Sequence, residues 1–159
     1  DVIFDMNSRD DVPGYGFQLK HGATALTESW QAYESVSNNH FMLGHLMEWF
    51  YSGLAGIRQT ANSVAFKEVE IRPEPVGDVK DAKAIFYSPY GKISSEWKKT
   101  DGKFEINISI PANSTAVVYL PAKKGAVVLM NGKKVNVQYK EGKAVLKTGS
   151  GNYTFEVKE

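Results

Sequence analysis

The residues best suited to chemistry lie in the first third of this sequence. Glu28 and Trp30 follow a glycine-rich stretch that ends at Gly22. A carboxylate can act as a general base or bind sugar hydroxyls, and an aromatic face can stack on a pyranose ring. The pattern therefore indicates a general base or a sugar-binding group. The alternative is that Glu28 is an ordinary acid in the first turn of a helix capped by Thr24, where the helix dipole favours it.

All three histidines, His21, His40 and His45, also lie in this part of the chain. His40 could orient a substrate hydroxyl. Its spacing of five from His45 does not place both rings on one metal ion, and the sequence has no cysteine, so we expect no zinc site. No nucleophile elbow surrounds Ser29 or Ser35, and no glycine pattern matches a phosphate or dinucleotide loop. We therefore expect no metal and no other cofactor.

Composition narrows the possible partners. The 159 residues are 42% hydrophobic and carry a net charge of +1, which predicts a folded protein without the field that attracts nucleic acid. The longest apolar stretch, Phe41 to Ile57, is interrupted by His45 and Glu48, which argues against a membrane span. We expect neither nucleic acid nor a membrane as a partner. The first residues, Asp-Val-Ile-Phe-Asp, suggest a piece of a longer protein.

The composition of charged residues changes near Ser63. The first 63 residues hold three basic and seven acidic groups, whereas the remainder holds 16 basic and 11 acidic groups. We predict that residues 1–63 are an incomplete part of one domain and that residues 64–159 form a second domain. In the first, turn-forming residues from Ser8 to Gly22 indicate a long loop, and two helices are predicted, from Ala23 to about Ser35 and from Asn38 to Ile57.

The second predicted helix is apolar on nearly all sides. Leu46, Trp49 and Leu54 lie on one face, and Met47 and Tyr51 lie on the other. A helix of this kind is normally buried all round, and 159 residues with one other short helix cannot cover it. The pattern therefore predicts a missing partner, or self-association through exposed helices.

After Ser63 the apolar period falls to two. Eight or nine short alternating runs are separated by turn pairs such as Asn131-Gly132 and Glu141-Gly142. This spacing predicts an antiparallel β-sandwich, so the chain as a whole is of the α+β class. The lysines of the strands, such as Lys98, Lys99, Lys133 and Lys134, are predicted to be solvent-exposed, although a glycan or phosphate patch is an alternative.

Three strings in the first half resemble a known family. They are Pro13-Gly-Tyr-Gly-Phe-Gln-Leu-Lys-His-Gly-Ala-Thr-Ala-Leu-Thr-Glu-Ser-Trp30, Asn38-Asn-His-Phe-Met-Leu-Gly-His-Leu-Met-Glu-Trp-Phe-Tyr51 and Ala55-Gly-Ile57. Together they resemble the carboxyl-terminal end of a bacterial α-L-rhamnosidase of the large inverting family. The resemblance implies a short helical segment from the end of an (α/α)6 barrel, followed by the β-sandwich. It also suggests a periplasmic or extracellular setting in a bacterium.

The resemblance implies roles for individual residues. Glu28 matches the catalytic base of the family, His40 matches a histidine that contacts the rhamnose, and Trp30 falls beside the base, where it would stack on the sugar or pack in the wall. Many members have tryptophan where this chain has Thr27. The implied partners are a rhamnose-containing glycan or glycoside and the missing upstream barrel. Since that barrel would carry the general acid, the isolated chain is expected to be inactive.

A second function is open for residues 64–159. They could form a carbohydrate-binding or purely structural module without catalysis, with Tyr87, Tyr90 and Trp97 as its aromatic surface. Trp97 is in phase with Ile93, an apolar position, which favours packing in the core for this side chain.

Overall fold

The computed structural model describes residues 1–31 and 34–158. The chain divides into two compact units, one formed by residues 1–48 with Val76–Asp78, the other by residues 49–75 with those from Val79 onward. The first unit is mainly turns and short helices. The second contains every strand of the described part of the chain. The predicted boundary at Ser63 lies inside the second unit, and the division into an incomplete first domain and a sandwich domain stays a prediction.

The first unit begins with two short helices, α1 (Val2–Ser8) and α2 (Tyr15–Lys20). Helix α2 lies inside the stretch predicted as a long loop. The predicted helix from Ala23 to about Ser35 is wrong, because its described residues form bends and turns. Hydroxyl side chains give the backbone another partner here: Thr27 Oγ1 donates a 2.6 Å hydrogen bond to the Ser29 carbonyl.

The second predicted helix is present but shorter and irregular. A 3₁₀ turn (Phe41–His45) leads into α3 (Leu46–Trp49) and then into a π turn (Phe50–Leu54). The run ends before Gly56, whose φ of +76° is left-handed and stops a helix. Ile57, predicted as helical, therefore starts a strand. Among the described residues, no helix is long and apolar enough to cross a membrane.

Eleven strands of the described chain form two sheets. The five-stranded sheet has the order β1-β2-β6-β10-β9 and the six-stranded sheet the order β3-β4-β5-β11-β7-β8. The strands are β1 (Ile57–Gln59), β2 (Glu68–Ile71), β3 (Asp81–Ser88), β4 (Gly91–Thr100), β5 (Lys103–Ile110), β6 (Thr115–Leu120), β7 (Val127–Met130), β8 (Lys133–Lys134), β9 (Gln138–Lys140), β10 (Lys143–Thr148) and β11 (Gly151–Lys158). The predicted sandwich is confirmed, with more strands than the eight or nine predicted.

One strand pair departs from the predicted antiparallel pattern. Strands β2 and β6 run parallel, with Glu68 opposite Thr115 and Ile71 opposite Val118. A parallel pair cannot be joined by a hairpin, and the chain between these two strands passes through β3, β4 and β5 of the other sheet. This crossover links the two sheets of the sandwich.

The apolar core lies in the second unit. Its fully buried side chains include Trp97, Phe155, Ile93, Ile106 and Leu120. In the first unit, by contrast, the buried residues of the described chain are Gln18 and Thr27. The alternating strands therefore bury their apolar faces within the sandwich, and the first unit has no comparable core among its described residues.

The predicted hairpin turns and exposed lysines are confirmed. Asn131 and Gly132 have φ angles of 51° and 77°, and Glu141 and Gly142 have 52° and 72°. Two successive positive φ angles are what a two-residue hairpin of matching twist requires. The four lysines named above, at positions 98, 99, 133 and 134, are all exposed.

Candidate functional site

Glu28 and His40 are held by the same pair of backbone segments. The Glu28 amide donates to the Ser37 carbonyl and the His40 amide donates to the Leu26 carbonyl, both at 2.8 Å. The Ser37 amide in turn donates to Glu28 Oε2 at 3.3 Å. These bonds place residues 26–28 beside residues 37–40. Glu28 and His40, which are 12 positions apart in sequence, are therefore held in one loop. Sequence spacing alone does not predict this closure.

The Glu28 side chain is exposed and lightly bound. Its one hydrogen bond among the described residues comes from Ser37, which leaves Oε1 unpaired. Because Glu28 lies in a bend, the alternative that it is a first-turn helix acid is wrong. A carboxylate with a free oxygen, on a segment fixed by backbone bonds, can orient a water molecule or a hydroxyl and accept its proton.

Two buried polar side chains support the segment that carries Glu28. Thr27 and Gln18 are 2% and 3% exposed. The Thr27 hydroxyl and Gln18 Nε2 both donate to the Ser29 carbonyl, at 2.6 and 3.4 Å. Thr27 therefore holds the backbone next to Glu28 and is not part of an open wall. Sequence reasoning missed Gln18, and no signal in the sequence distinguishes it from an ordinary helix residue.

Trp30 is only partly packed. Its ring meets Tyr15 edge to face with centroids 4.9 Å apart, and 37% of the residue remains exposed. The Tyr15 hydroxyl donates to the Leu43 carbonyl, and burial raises the pKa of this phenol. Tyr15 thus ties Trp30 to the segment after His40. The indole is held at one edge, and enough of it is exposed to contact a ligand.

His40 lies immediately before the 3₁₀ turn and is half-buried. The ring nitrogens of the other two histidines have backbone partners: Nδ1 of His21 lies 2.9 Å from the Phe17 carbonyl, and that of His45 lies 3.1 Å from the Met42 carbonyl. The His40 ring makes no hydrogen bond to a described residue. The His40 amide donates to the Leu26 carbonyl, and the His40 carbonyl accepts a 3.1 Å bond from the Leu43 amide. His40 therefore differs from the other two histidines in having both ring nitrogens without a partner among the described residues.

Neither a metal site nor a surface formed by Tyr87, Tyr90 and Trp97 together is present in the described structure. No group of three or more histidine, aspartate or glutamate side chains in residues 1–31 and 34–158 could hold a metal ion. Tyr87 and Tyr90 are 75% and 37% exposed, but Trp97 is 1% exposed and donates its indole N–H to the Leu54 carbonyl at 2.8 Å. The three-aromatic surface considered for a binding module is therefore wrong, and packing of Trp97 in the core is confirmed.

The described chain thus combines a unit of short helices, with an exposed carboxylate on a closed loop, and a β-sandwich that follows it in sequence. Comparison with known families identifies the class of protein to which this combination belongs. Residues 1–54 match the bacterial alpha-L-rhamnosidase 6 hairpin glycosidase domain, and residues 56–136 match the bacterial alpha-L-rhamnosidase C-terminal domain. The chain belongs to the bacterial α-L-rhamnosidase family.

Individual relatives agree with this assignment. An alpha-L-rhamnosidase from Streptomyces avermitilis is 32% identical over 166 residues, covering 99% of this chain and 16% of that protein. The structure of an alpha-L-rhamnosidase from Dictyoglumus thermophilum superimposes with a TM-score of 0.93 at 30% identity, over 99% of this chain and 19% of that one. The Streptomyces avermitilis structure, described as complexed with L-rhamnose, has a TM-score of 0.89 and the same 99% and 16% coverage. The chain thus corresponds to a small carboxyl-terminal part of its relatives, and the predicted fold is confirmed.

Proposed function

We propose that this chain is the carboxyl-terminal part of an α-L-rhamnosidase that removes terminal α-L-rhamnose from glycosides or polysaccharides with inversion. The observation that carries the proposal is the match of 99% of the chain, at a TM-score of 0.89, to a rhamnosidase whose structure is described as complexed with L-rhamnose. The substrate of the whole protein would be a rhamnose-containing glycan or glycoside.

Glu28 would act as the general base. Inversion needs two carboxyl groups about 6.5–9.5 Å apart, of which the ionised one directs water at the anomeric carbon from the face opposite the leaving group. Glu28 suits this role because its side chain is exposed and its Oε1 has no partner among the described residues, while bonds with the Ser37 backbone fix its position. A base held in place needs little reorganisation when water binds.

His40 and Trp30 would hold the sugar. The ring nitrogens of His40 have no partner among the described residues, so they can bind a rhamnose hydroxyl. Trp30 would stack against an apolar sugar face or close the wall of the pocket, and its edge contact with Tyr15 fixes the ring in either case. Neither residue is assigned to proton transfer, because two carboxyl groups already serve that purpose in an inverting enzyme.

The isolated chain should be inactive. We assign the general acid and the remaining sugar contacts to an upstream barrel, of which residues 1–63 would be the carboxyl-terminal end, with residues 64–159 as the sandwich domain. Loss of acid catalysis and of substrate positioning each removes orders of magnitude of rate.

Replacement of Glu28 in the full-length protein tests this proposal. Glu28→Gln keeps the size of the side chain but cannot accept a proton, so kcat on an aryl α-L-rhamnoside should fall by about 10²-fold to 10⁴-fold while substrate affinity is largely kept. Glu34→Gln is the matched control, because Glu34 is an exposed carboxylate six residues away and should leave kcat unchanged. Near-full turnover of Glu28→Gln would refute the assignment.

A further inference from the structure

The outer face of the six-stranded sheet carries a row of short polar side chains. Ser94 on β4 lies opposite Ser109 on β5, and Ser109 lies opposite Asn152 on β11. Neighbouring strands are about 4.8 Å apart, so these three side chains span about 10 Å in a straight line. They line an open depression of about 330 Å³.

Longer side chains border this row. On one side, Glu96 lies opposite Asn107, and Lys83 Nζ forms a 2.8 Å ion pair with Glu96 Oε2. On the other side, Lys92 stands two residues before Ser94 and so points to the same face. The depression arises because short side chains in the middle of the sheet lie between long ones. We refer to the row of Ser94, Ser109 and Asn152 with its borders as the sheet groove.

The groups at the bottom of the sheet groove have no partners among the described residues. The hydroxyls of Ser94 and Ser109 and the side-chain amide of Asn152 make no hydrogen bond there. In residues 1–31 and 34–158, the one hydrogen bond of the Asn107 side-chain amide is a 2.6 Å bond that its oxygen accepts from the Thr154 hydroxyl. The groove therefore offers several neutral groups that both donate and accept hydrogen bonds at the spacing of adjacent strands.

The charge of the groove indicates which chemical class of ligand it can bind. Lys83 and Glu96 neutralise each other, so Lys92 is the one remaining charge among the lining side chains. One lysine provides too little positive charge to bind a polyanion. A row of hydroxyls and amides also lacks the apolar centre that a protein interface requires. A sugar chain fits, because each of its hydroxyls donates and accepts in turn.

An exposed aromatic ring lies next to the groove. Tyr87 is 75% exposed on β3, which is an edge strand of the sheet, and it pairs with Lys92 in the adjacent row. Ile85, two residues before it, lies opposite Ser94 and lines the depression. Residues two apart on a strand share a face, so the ring stands where a bound chain would leave the groove. Aromatic faces stack on pyranose rings.

We propose that the sheet groove binds a neutral oligosaccharide, with Ser94, Ser109 and Asn152 hydrogen-bonding its hydroxyls and Tyr87 stacking on a ring at the β3 edge. This site lies on the sandwich and takes no part in the chemistry assigned to Glu28. It would hold a neutral part of a glycan, and its existence does not depend on the catalytic assignment.

Calorimetry on the full-length protein tests this proposal. The probes are cellotetraose, xylotetraose, mannotetraose and a tetrasaccharide of α-L-rhamnose, with tetragalacturonate as the charged comparison. We expect at least one neutral probe to bind and tetragalacturonate to bind at least ten-fold more weakly. Tyr87→Ala and Asn152→Ala should each lower the affinity for the neutral probe by about five-fold or more, since a lost hydrogen bond or stacking contact is typically worth about 1 kcal/mol.

Matched controls come from the same sandwich. Tyr139→Ala and Asn136→Ala remove a tyrosine and an asparagine that lie outside the groove and are exposed, and they should change affinity by less than two-fold. Tyr87→Ala and Asn152→Ala should leave turnover of an aryl rhamnoside unchanged, which separates the groove from the Glu28 site. The proposal is overturned if no neutral probe binds at 10 mM, or if the groove variants bind the neutral probe as tightly as the unchanged protein does. Tighter binding of tetragalacturonate than of every neutral probe overturns the assignment of a neutral ligand.

Discussion

Trp97 makes the most informative test of how the sandwich is stabilised. The residue is 1% exposed, and its indole N–H donates to the Leu54 carbonyl at 2.8 Å. Leu54 ends the π turn, so its carbonyl has no partner further along a helix. Trp97→Phe removes both this donor and part of the buried ring. A buried carbonyl without a partner costs about 1–3 kcal/mol, and the lost ring atoms cost about 1 kcal/mol more. The free energy of unfolding should therefore fall by about 2–4 kcal/mol.

Denaturant unfolding followed by far-UV circular dichroism measures this change, because the signal does not depend on tryptophan fluorescence. The control is Trp30→Phe, the same chemical change at a residue that is 37% exposed and has no indole hydrogen bond to a described residue. It should cost about 0.5 kcal/mol or less. Ser95→Ala provides a second test, because the buried Ser95 hydroxyl donates to the Ala55 carbonyl at 2.6 Å. Equal costs for Trp97→Phe and Trp30→Phe would refute the reasoning.

Three further predictions concern the backbone and the sugar site. Gly56→Ala should lower the free energy of unfolding in chemical denaturation by about 3 kcal/mol or more, because a Cβ would lie 2.1 Å from the Pro73 nitrogen. The control Gly102→Ala should lower it by about 1 kcal/mol, because Gly102 has a positive φ but open space around it. Equal losses for the two variants would contradict the steric argument. Hydrogen exchange should be far slower in β5 and β11 than in residues 1–48, and equal protection in a proven monomer would contradict this. His40→Ala in the full-length protein should lower kcat/KM by about 5-fold to 150-fold for rhamnosides whatever their leaving group, and selective loss on poor leaving groups would instead indicate acid catalysis.

The sandwich was predictable because its signals are local. A pair such as Asn131-Gly132 adopts two successive positive φ angles with little help from the rest of the fold, and it sets the register of the strands on either side. The alternation around Trp97 and Ile93 assigned both to the core, where they are 1% and 0% exposed. The parallel pairing of β2 with β6 was not predictable, because it joins strands separated by three others in sequence, and no local pattern specifies such a partner.

The site was predictable in its residues but not in its geometry. Glu28 and His40 were singled out by residue type and by family resemblance, and their roles stay predictions. The loop closure that brings both to one place depends on hydrogen bonds from Glu28 to Ser37 and from His40 to Leu26. The predicted helix from Ala23 to about Ser35 is wrong, because the Thr27 hydroxyl bonds the backbone locally in a bend and so competes with helical hydrogen bonds.

The contrast between the two units has one physical basis. In the sandwich, each apolar strand face meets another within the same unit, so local pattern and tertiary packing agree. In the first unit, Phe41, Met42 and Met47 are 83%, 66% and 57% exposed, and no described residue of that unit covers them. Helices draw most of their stability from packing on an apolar face, which agrees with the run from Phe41 to Leu54 mixing 3₁₀, α and π turns. His40 immediately precedes this run, so the exposed side chains follow directly after the loop that holds His40 and Glu28. Variants of either residue are therefore informative only in the full-length protein.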